Sequence, residues 1–213
     1  KYDFEDLVGV MKKLRGEGGC PWDRKQTHGS LKQYLLEECY EVMEAIDQGS
    51  PEKLVEELGD VLLQVVFHAE LSSENDQFDI LDVTDGITSK MIERHPHIFG
   101  GAHLENSADV LDSWEEIKRR EQDINTVADS LKHVPSQMPA LMRSYKVQQK
   151  AAGSGFGMGS TEGLINKINQ ESKALIDVYK SEKYGKIIKE LGNLLFSVVS
   201  VYSSIDIMPE FAL

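Results

Sequence analysis

Five carboxylates in the first third of the sequence fall into two groups with helical spacing. The first group is Glu37, Glu38 and Glu41, and the second is Glu57 and Asp60. Carboxylate oxygens suit hard divalent cations, whereas the lack of His or Cys at ligand spacing argues against zinc. Carboxylates that face one another repel unless a cation compensates them. The pattern predicts a Mg²⁺ or Mn²⁺ site, and a nucleotide, because Mg²⁺ commonly takes further ligands from substrate phosphates.

Two antiparallel helices are needed to position these groups. Apolar residues recur every three or four positions from Leu31 to Ile46, as on one face of an α-helix. Gly49 then supplies a C-terminal stop, and Ser50-Pro51-Glu52 has the pattern of a helix N-terminus. The sequence therefore predicts a tight helical hairpin whose second helix runs from Pro51 to about Leu71.

The predicted hairpin places the two acidic groups at matching heights. At a rise of ~1.5 Å per residue, Glu41 and Glu57 lie ~12 Å and ~10 Å from the turn. Glu38 and Asp60 lie ~16 Å and ~15 Å from it. We therefore expect two carboxylate pairs side by side.

The rest of the chain also has the pattern of an all-α protein. Further helices are predicted at residues 3–15, 80–93 and 108–122, whereas alternating strands and Asn-Gly hairpin signals are absent. A polar stretch with two prolines, residues 123–139, is interpreted as a domain linker. We predict an all-α bundle.

An internal repeat indicates a duplicated hairpin. The segment Glu57-Leu58-Gly59-Asp60-Val61-Leu62-Leu63 resembles Glu190-Leu191-Gly192-Asn193-Leu194-Leu195-Phe196, 133 positions later. We predict two tandem domains, residues 1–124 and 125–213. Each two-helix hairpin leaves an apolar face that a second chain or the second copy must cover. A homodimer or higher oligomer is therefore expected. At the same offset the second copy loses three carboxylates, which predicts an inactive site: Glu37, Glu41 and Asp60 correspond to Gln170, Ala174 and Asn193.

Composition limits the partners. A formal charge of −13, from 23 Lys plus Arg against 36 Asp plus Glu, argues against nucleic acid or an anionic membrane as the partner. No apolar run approaches the ~20 residues of a membrane span. Two cysteines and the lack of a signal segment predict a cytoplasmic protein. The chain begins with Lys1, from which we expect a fragment, a processed product or one domain of a longer protein.

The acidic groups resemble a known family. The runs Glu37-Glu38-Cys39-Tyr40-Glu41 and Glu57-Leu58-Gly59-Asp60 have the E-E-x-x-E and E-x-x-D form of MazG nucleotide pyrophosphohydrolases. Other family blocks are similar across nearly the whole chain: Cys20-Pro21-Trp22-Asp23, Gln26-Thr27-His28, Glu93-Arg94-His95-Pro96-His97-Ile98-Phe99-Gly100, Trp114-Glu115-Glu116-Ile117-Lys118, Val134-Pro135 and Pro139-Ala140-Leu141.

The resemblance implies an activity and roles for individual residues. Family enzymes hydrolyse nucleoside triphosphates, ribo and deoxy, to monophosphate and pyrophosphate. The metal ligands it implies are Glu38, Glu41, Glu57 and Asp60, and Glu37 would orient or deprotonate the attacking water. The substrate residues it implies are Lys53, Lys90, Arg94 and Lys118 on the phosphates and Trp114 near the nucleotide.

Several alternatives stay open at this point. Lys53 has the spacing to pair with Glu57 instead of a phosphate, and Trp114 is equally suited to a core or dimer contact. We interpret His28, His95 and His97 as structural or as support for the site. The chain as a whole is also compatible with a non-catalytic nucleotide- or metal-binding regulatory module, or a dimerisation domain. Because MazG domains can be fused to a tetrapyrrole methylase, an upstream domain is a further expectation.

Overall fold

The structure, a computed structural model, describes residues 1–104, 106–156, 159–180 and 184–212. Within these ranges the chain is helical and contains no strand, which confirms the predicted all-α class. None of the described helices combines the length and apolarity needed to span a membrane. The chain divides into two compact units, Lys1–Leu104 and Glu105–Leu213.

The first unit is built around a long helical hairpin. Its core consists of Met11, Leu31, Val66, Phe67 and Leu71. The helices of this unit are α1 (Phe4–Arg15), α2 (His28–Asp47), α3 (Pro51–Ser73), α4 (Ile80–Glu93) and the short α5 (Pro96–Phe99).

The turn of this hairpin is formed as the sequence predicts. Gly49 adopts a φ of 61°, a left-handed conformation that other residues rarely adopt. Ser50 caps α3 by accepting a hydrogen bond from the Lys53 amide at 3.3 Å, and Pro51 occupies the first helical position. At the other end of α2, Thr27 and Ser30 form a reciprocal capping box. These local signals fix the register of the two helices.

A buried arginine ties α1 to the end of α3. The Arg15 guanidinium donates to both carboxylate oxygens of Glu74, at 2.6 and 2.7 Å. It also donates to the carbonyl oxygen of Asp23 and lies 5.4 Å from the ring centre of Phe67. Because Arg cannot lose its proton in a protein, its burial requires this set of partners. The contacts fix the end of the hairpin opposite the turn.

The second unit contains a helix in the predicted linker. Its helices are α6 (Ser107–Glu121), α7 (Val127–Lys132), α8 (Ala140–Ala152), α9 (Thr161–Tyr179) and α10 (Tyr184–Ser204). Residues 123–139 are therefore not a plain linker, since α7 lies within them. The Thr126 hydroxyl caps α7 by accepting from the Asp129 amide, and Ser130 and Val134 are buried.

The predicted duplication is confirmed in the arrangement of the helices. In each unit one helix packs against the second arm of a long hairpin, α1 on α3 and α8 on α10. The hairpins α2–α3 and α9–α10 begin at residues that are 133 positions apart. Even the caps correspond, because Ser160 caps α9 as Thr27 caps α2.

The boundary between the compact units differs from the predicted domain boundary. The sequence predicts a boundary after residue 124, whereas the structural division falls after Leu104, so α6 groups with the second unit. The assignment of catalysis to the first copy stays a prediction.

Candidate metal centre

The α2–α3 hairpin brings three carboxylates together. Glu38 and Glu41 of α2 and Glu57 of α3 each offer an oxygen, and these oxygens lie within 4.8 Å of one another. Glu38 and Glu57 are half-buried, whereas Glu41 is exposed. The spacing of i and i+3 places the two α2 residues on one face, and the antiparallel turn brings α3 alongside.

The cluster carries negative charge that repels itself. Burial raises the pKa of Glu38 above its ordinary 4.5, and repulsion from Asp60, Glu41 and Glu57 raises it further. Burial likewise raises the pKa of Glu57, with added repulsion from Glu41, Glu56 and Asp60. Asp60, which is half-buried, is thus close enough to act on both.

The donor set fits a hard divalent cation. Every candidate ligand atom is a carboxylate oxygen, as Mg²⁺ and Mn²⁺ prefer. Among the described residues, none of the four carboxylates Glu38, Glu41, Glu57 and Asp60 has a basic partner within 4.0 Å. A bound cation would supply the compensation that the surrounding side chains do not.

Glu37 lies outside the converging group and, unlike Asp60, does not contribute to the raised pKa of Glu38 or Glu57. It is exposed on α2 and is not one of the three residues whose oxygens converge. Its role toward the attacking water stays a prediction.

The predicted substrate residues are spread over three helices. Lys53 at the start of α3 donates from Nζ to the Gln48 side chain at 2.8 Å, and within the described chain it forms no ion pair with Glu57. Lys90 is exposed near the end of α4, and Arg94, which caps that helix, is buried. Trp114 and Lys118 lie on α6, in the second unit: Trp114 is half-buried, and the Lys118 ammonium lies 3.3 Å from Glu115. Their role at the substrate stays a prediction.

A histidine pair that was not predicted from the sequence lies across the hairpin. The Nδ1 atoms of His28 on α2 and His68 on α3 lie 2.7 Å apart, and the rings stack with centres 5.0 Å apart. His28 Nε2 also lies 3.3 Å from the hydroxyl of the buried Ser72. Burial lowers the pKa of His68, and the neighbouring His28 lowers it further. Counted from the turn at ~1.5 Å per residue, His28 and His68 lie ~32 Å and ~27 Å away, within one helical turn of each other but not at matching heights.

The second hairpin does not repeat the cluster. Only Glu171 and Glu190 remain at the corresponding positions, and the Asn193 amide donates to the Glu190 carboxylate at 3.2 Å. Among the described residues, the group of Glu38, Glu41 and Glu57 is the one that has metal-ligand spacing.

The chain is similar to known nucleotide pyrophosphohydrolases. Residues 26–99 match the model of the MazG nucleotide pyrophosphohydrolase domain. The chain is 42% identical to the nucleoside triphosphate pyrophosphohydrolase/pyrophosphatase MazG of Thermotoga maritima, over 99% of this chain and 79% of that protein. It is 37% identical to the nucleoside triphosphate pyrophosphohydrolase of Escherichia coli K12, over 99% of this chain and 81% of that protein.

A third relative is longer. The uncharacterized protein YabN of Bacillus subtilis is 42% identical over the whole of this chain, which spans 43% of that protein. The matched region of the family model includes all five predicted carboxylates, and the two named enzymes match over nearly the full chain. The chain therefore belongs to the MazG nucleotide pyrophosphohydrolase family.

Proposed function

We propose that the chain hydrolyses nucleoside triphosphates to nucleoside monophosphate and pyrophosphate in a Mg²⁺-dependent reaction, with Mn²⁺ as a substitute. The observation that carries this is the convergence of Glu38, Glu41 and Glu57 within 4.8 Å on a hairpin that matches the family model. The two most informative relatives are both named as nucleoside triphosphate pyrophosphohydrolases.

Four carboxylates would hold the metal: Glu38, Glu41, Glu57 and Asp60. A bound Mg²⁺ would neutralise phosphate charge and favour deprotonation of a water. The raised pKa values of Glu38 and Glu57 support this assignment, because a group of carboxylates that resists full ionisation gains most from a cation. Glu37 is exposed, so it is free to contact a water at the edge of the cluster.

The proposed reaction breaks one phosphoanhydride bond. The oxygen of water forms a bond to the α-phosphorus, and the bond from that phosphorus to the bridging oxygen breaks. The electron pair of the broken bond leaves with pyrophosphate, and a carboxylate of the cluster or bulk solvent takes the proton from the water. Cationic side chains stabilise such a leaving group, and Lys53, Lys90, Arg94 and Lys118 are proposed for this task. Trp114 is proposed to contact the nucleotide.

The test is a panel of ribo- and deoxynucleoside triphosphates incubated with Mg²⁺, with products separated by chromatography. We expect monophosphate and pyrophosphate in equal amounts, no turnover in excess chelator, and recovery when Mg²⁺ or Mn²⁺ is restored. Nucleoside diphosphate and orthophosphate as primary products would overturn the proposed site of attack. Binding of nucleotide without turnover of any substrate would favour the regulatory-module alternative.

We further infer that the hairpin of the first unit is covered by a second copy of the chain. Large apolar side chains of its two helices are 40 to 74% exposed: Leu36, Tyr40, Val55, Leu58 and Leu62. A helix face of this composition is usually buried in a bundle. Light scattering tests this inference. A dimer or larger oligomer at micromolar concentration supports it, whereas a monomer contradicts it.

A further inference from the structure

A cleft in the second unit carries three basic side chains, Arg119, Lys146 and Lys150, that the proposed hydrolysis does not use. It lies between α6 and α8 and has a volume of about 340 Å³. Four cations and three carboxylates contribute to its wall: Lys118, Arg119, Lys146 and Lys150, with Asp112, Glu115 and Glu116.

Most of the acidic charge in this cleft is already neutralised. Glu115 pairs with Lys118 at 3.3 Å, and Glu116 pairs at 2.7 Å with Arg120, which lies outside the cleft wall. The remaining charges are three cations, Arg119, Lys146 and Lys150, and the one carboxylate of Asp112. Within the described ranges, none of these three cations forms an ion pair within 4.0 Å.

Lys150 is held in place inside the cleft. It is half-buried, and its ammonium donates to the hydroxyl of the buried Ser130 at 3.2 Å. Burial lowers the pKa of Lys150; the cations of Lys118, Lys146 and Arg119 lower it further, and Glu115 opposes them. An ammonium group that is held among other cations is stabilised when an anion binds. Because the ammonium is already held in place, little side-chain ordering is needed on binding.

We propose that the α6–α8 cleft of the second unit binds a small oligophosphate anion, with Arg119, Lys146 and Lys150 as its ligands. A guanidinium and two ammonium groups on one concave surface match the several charged oxygens of a phosphate chain. A carboxylate ligand would leave most of the donors unused.

None of the three proposed ligands is among the residues proposed for the metal or the substrate of the hydrolysis. Lys118 also belongs to the residues proposed for the substrate, so the test relies on Lys146 and Lys150 instead. The probe is inorganic pyrophosphate, titrated by calorimetry into the full chain without divalent metal. We expect saturable binding, weakened about tenfold or more by Lys150→Gln and by Lys146→Gln, since each change removes one charge-assisted contact.

Two control variants show whether a change in pyrophosphate affinity arises in the cleft, from loss of charge elsewhere or at the metal centre. Lys167→Gln removes an equal charge from an exposed position of α9 outside the cleft, and should leave the affinity unchanged. Glu57→Gln alters the metal centre and should also leave metal-free pyrophosphate binding unchanged. If Lys150→Gln does not fold, Lys146→Gln decides, because its side chain is exposed on α8.

The source of the phosphate chain is resolved by further titrants. If a non-hydrolysable nucleoside triphosphate binds at least as tightly as pyrophosphate, and both are weakened in the lysine variants, the site takes the phosphate chain of a nucleotide. If pyrophosphate binds more tightly, the site takes the free anion. The proposal is overturned if pyrophosphate does not bind without metal. It is also overturned if sulfate binds equally well, or if Glu57→Gln abolishes binding while Lys146→Gln and Lys150→Gln keep it.

Discussion

The two hairpins have one framework and different polar residues on it. In the first, Glu38 and Glu41 face Glu57, with Asp60 acting on the same group. In the second, the position of Asp60 is taken by Asn193, whose amide donates to Glu190. The first arrangement accumulates negative charge, whereas in the second Glu190, one of the two remaining glutamates, accepts a hydrogen bond within the protein.

The comparison shows that the fold does not depend on the carboxylates. Both hairpins form with the same register and the same packing against a preceding helix, although three acidic positions differ. The apolar stripe and the caps specify the helices, and the opposite face is free to vary. The acidic cluster of the first hairpin is therefore better explained by a ligand than by stability.

The largest expected effect on this comparison comes from restoring the missing carboxylates of the second hairpin. The triple variant Gln170→Glu, Ala174→Glu and Asn193→Asp should give the second hairpin a metal site, because Glu171 and Glu190 are already present. Electron paramagnetic resonance of Mn²⁺ should then show one more bound ion per chain than in the parent. A control with Asn166→Glu and Asn169→Glu adds acidic charge to α9 out of register and should add no bound ion. An unchanged count in the triple variant would break the proposed equivalence of the hairpins.

The helix that braces each hairpin gives a second contrast. Arg15 of α1 holds Glu74 through two charged hydrogen bonds, whereas Gln148 at the matching place of α8 donates one neutral bond to the Phe196 carbonyl. We expect Arg15→Met to lower the free energy of unfolding by about 1–3 kcal/mol, less than for a fully buried pair because Glu74 reaches water. Gln148→Met should cost about 1 kcal/mol. Urea unfolding followed by circular dichroism measures both, and a larger loss for Gln148→Met would contradict the assignment.

The smallest expected effect is a change in how the stability of the protein depends on pH. Since the pKa values of Glu38 and Glu57 are raised in the folded state, that state binds protons more tightly than the unfolded chain. Without metal, these two groups therefore destabilise the protein at neutral pH, and the penalty disappears as the pH falls toward 4.5. The double variant Glu38→Gln/Glu57→Gln should be more stable than the parent at neutral pH and lose this advantage in acid. Thermal unfolding of both proteins in chelator checks the difference, and an advantage that grows in acid would contradict it.

Much of the fold could be predicted because its signals are local. Periodic apolar residues, the cap Ser50, Pro51 and the glycine at residue 49 determine α2 and α3 without reference to the rest of the chain. The short α7 could not be predicted in the same way, because six residues carry too little periodicity and its formation depends on the Thr126 cap and packing against α8.

The same distinction applies to the site. Glu38, Glu41 and Glu57 were predictable, because two helices and one turn determine their distances. The contacts of Lys53 with Gln48 and of Lys118 with Glu115 depend on side-chain conformation, which helical spacing does not specify. The His28–His68 contact lies two residues off the register of the carboxylate pairs, so helical spacing alone does not predict it.

Steady-state turnover of a matched pair of variants, Glu57→Gln and Glu190→Gln, tests the assignment of catalysis to the first hairpin most directly. Each change removes one negative charge at an equivalent position, with no change in the apolar stripe. With Mg²⁺ and a nucleoside triphosphate, Glu57→Gln should lose about a hundredfold or more in turnover, because it removes a metal ligand. Glu190→Gln should stay within a few-fold of the parent, and circular dichroism should show both variants folded. Full activity in Glu57→Gln together with loss of activity in Glu190→Gln would contradict the account.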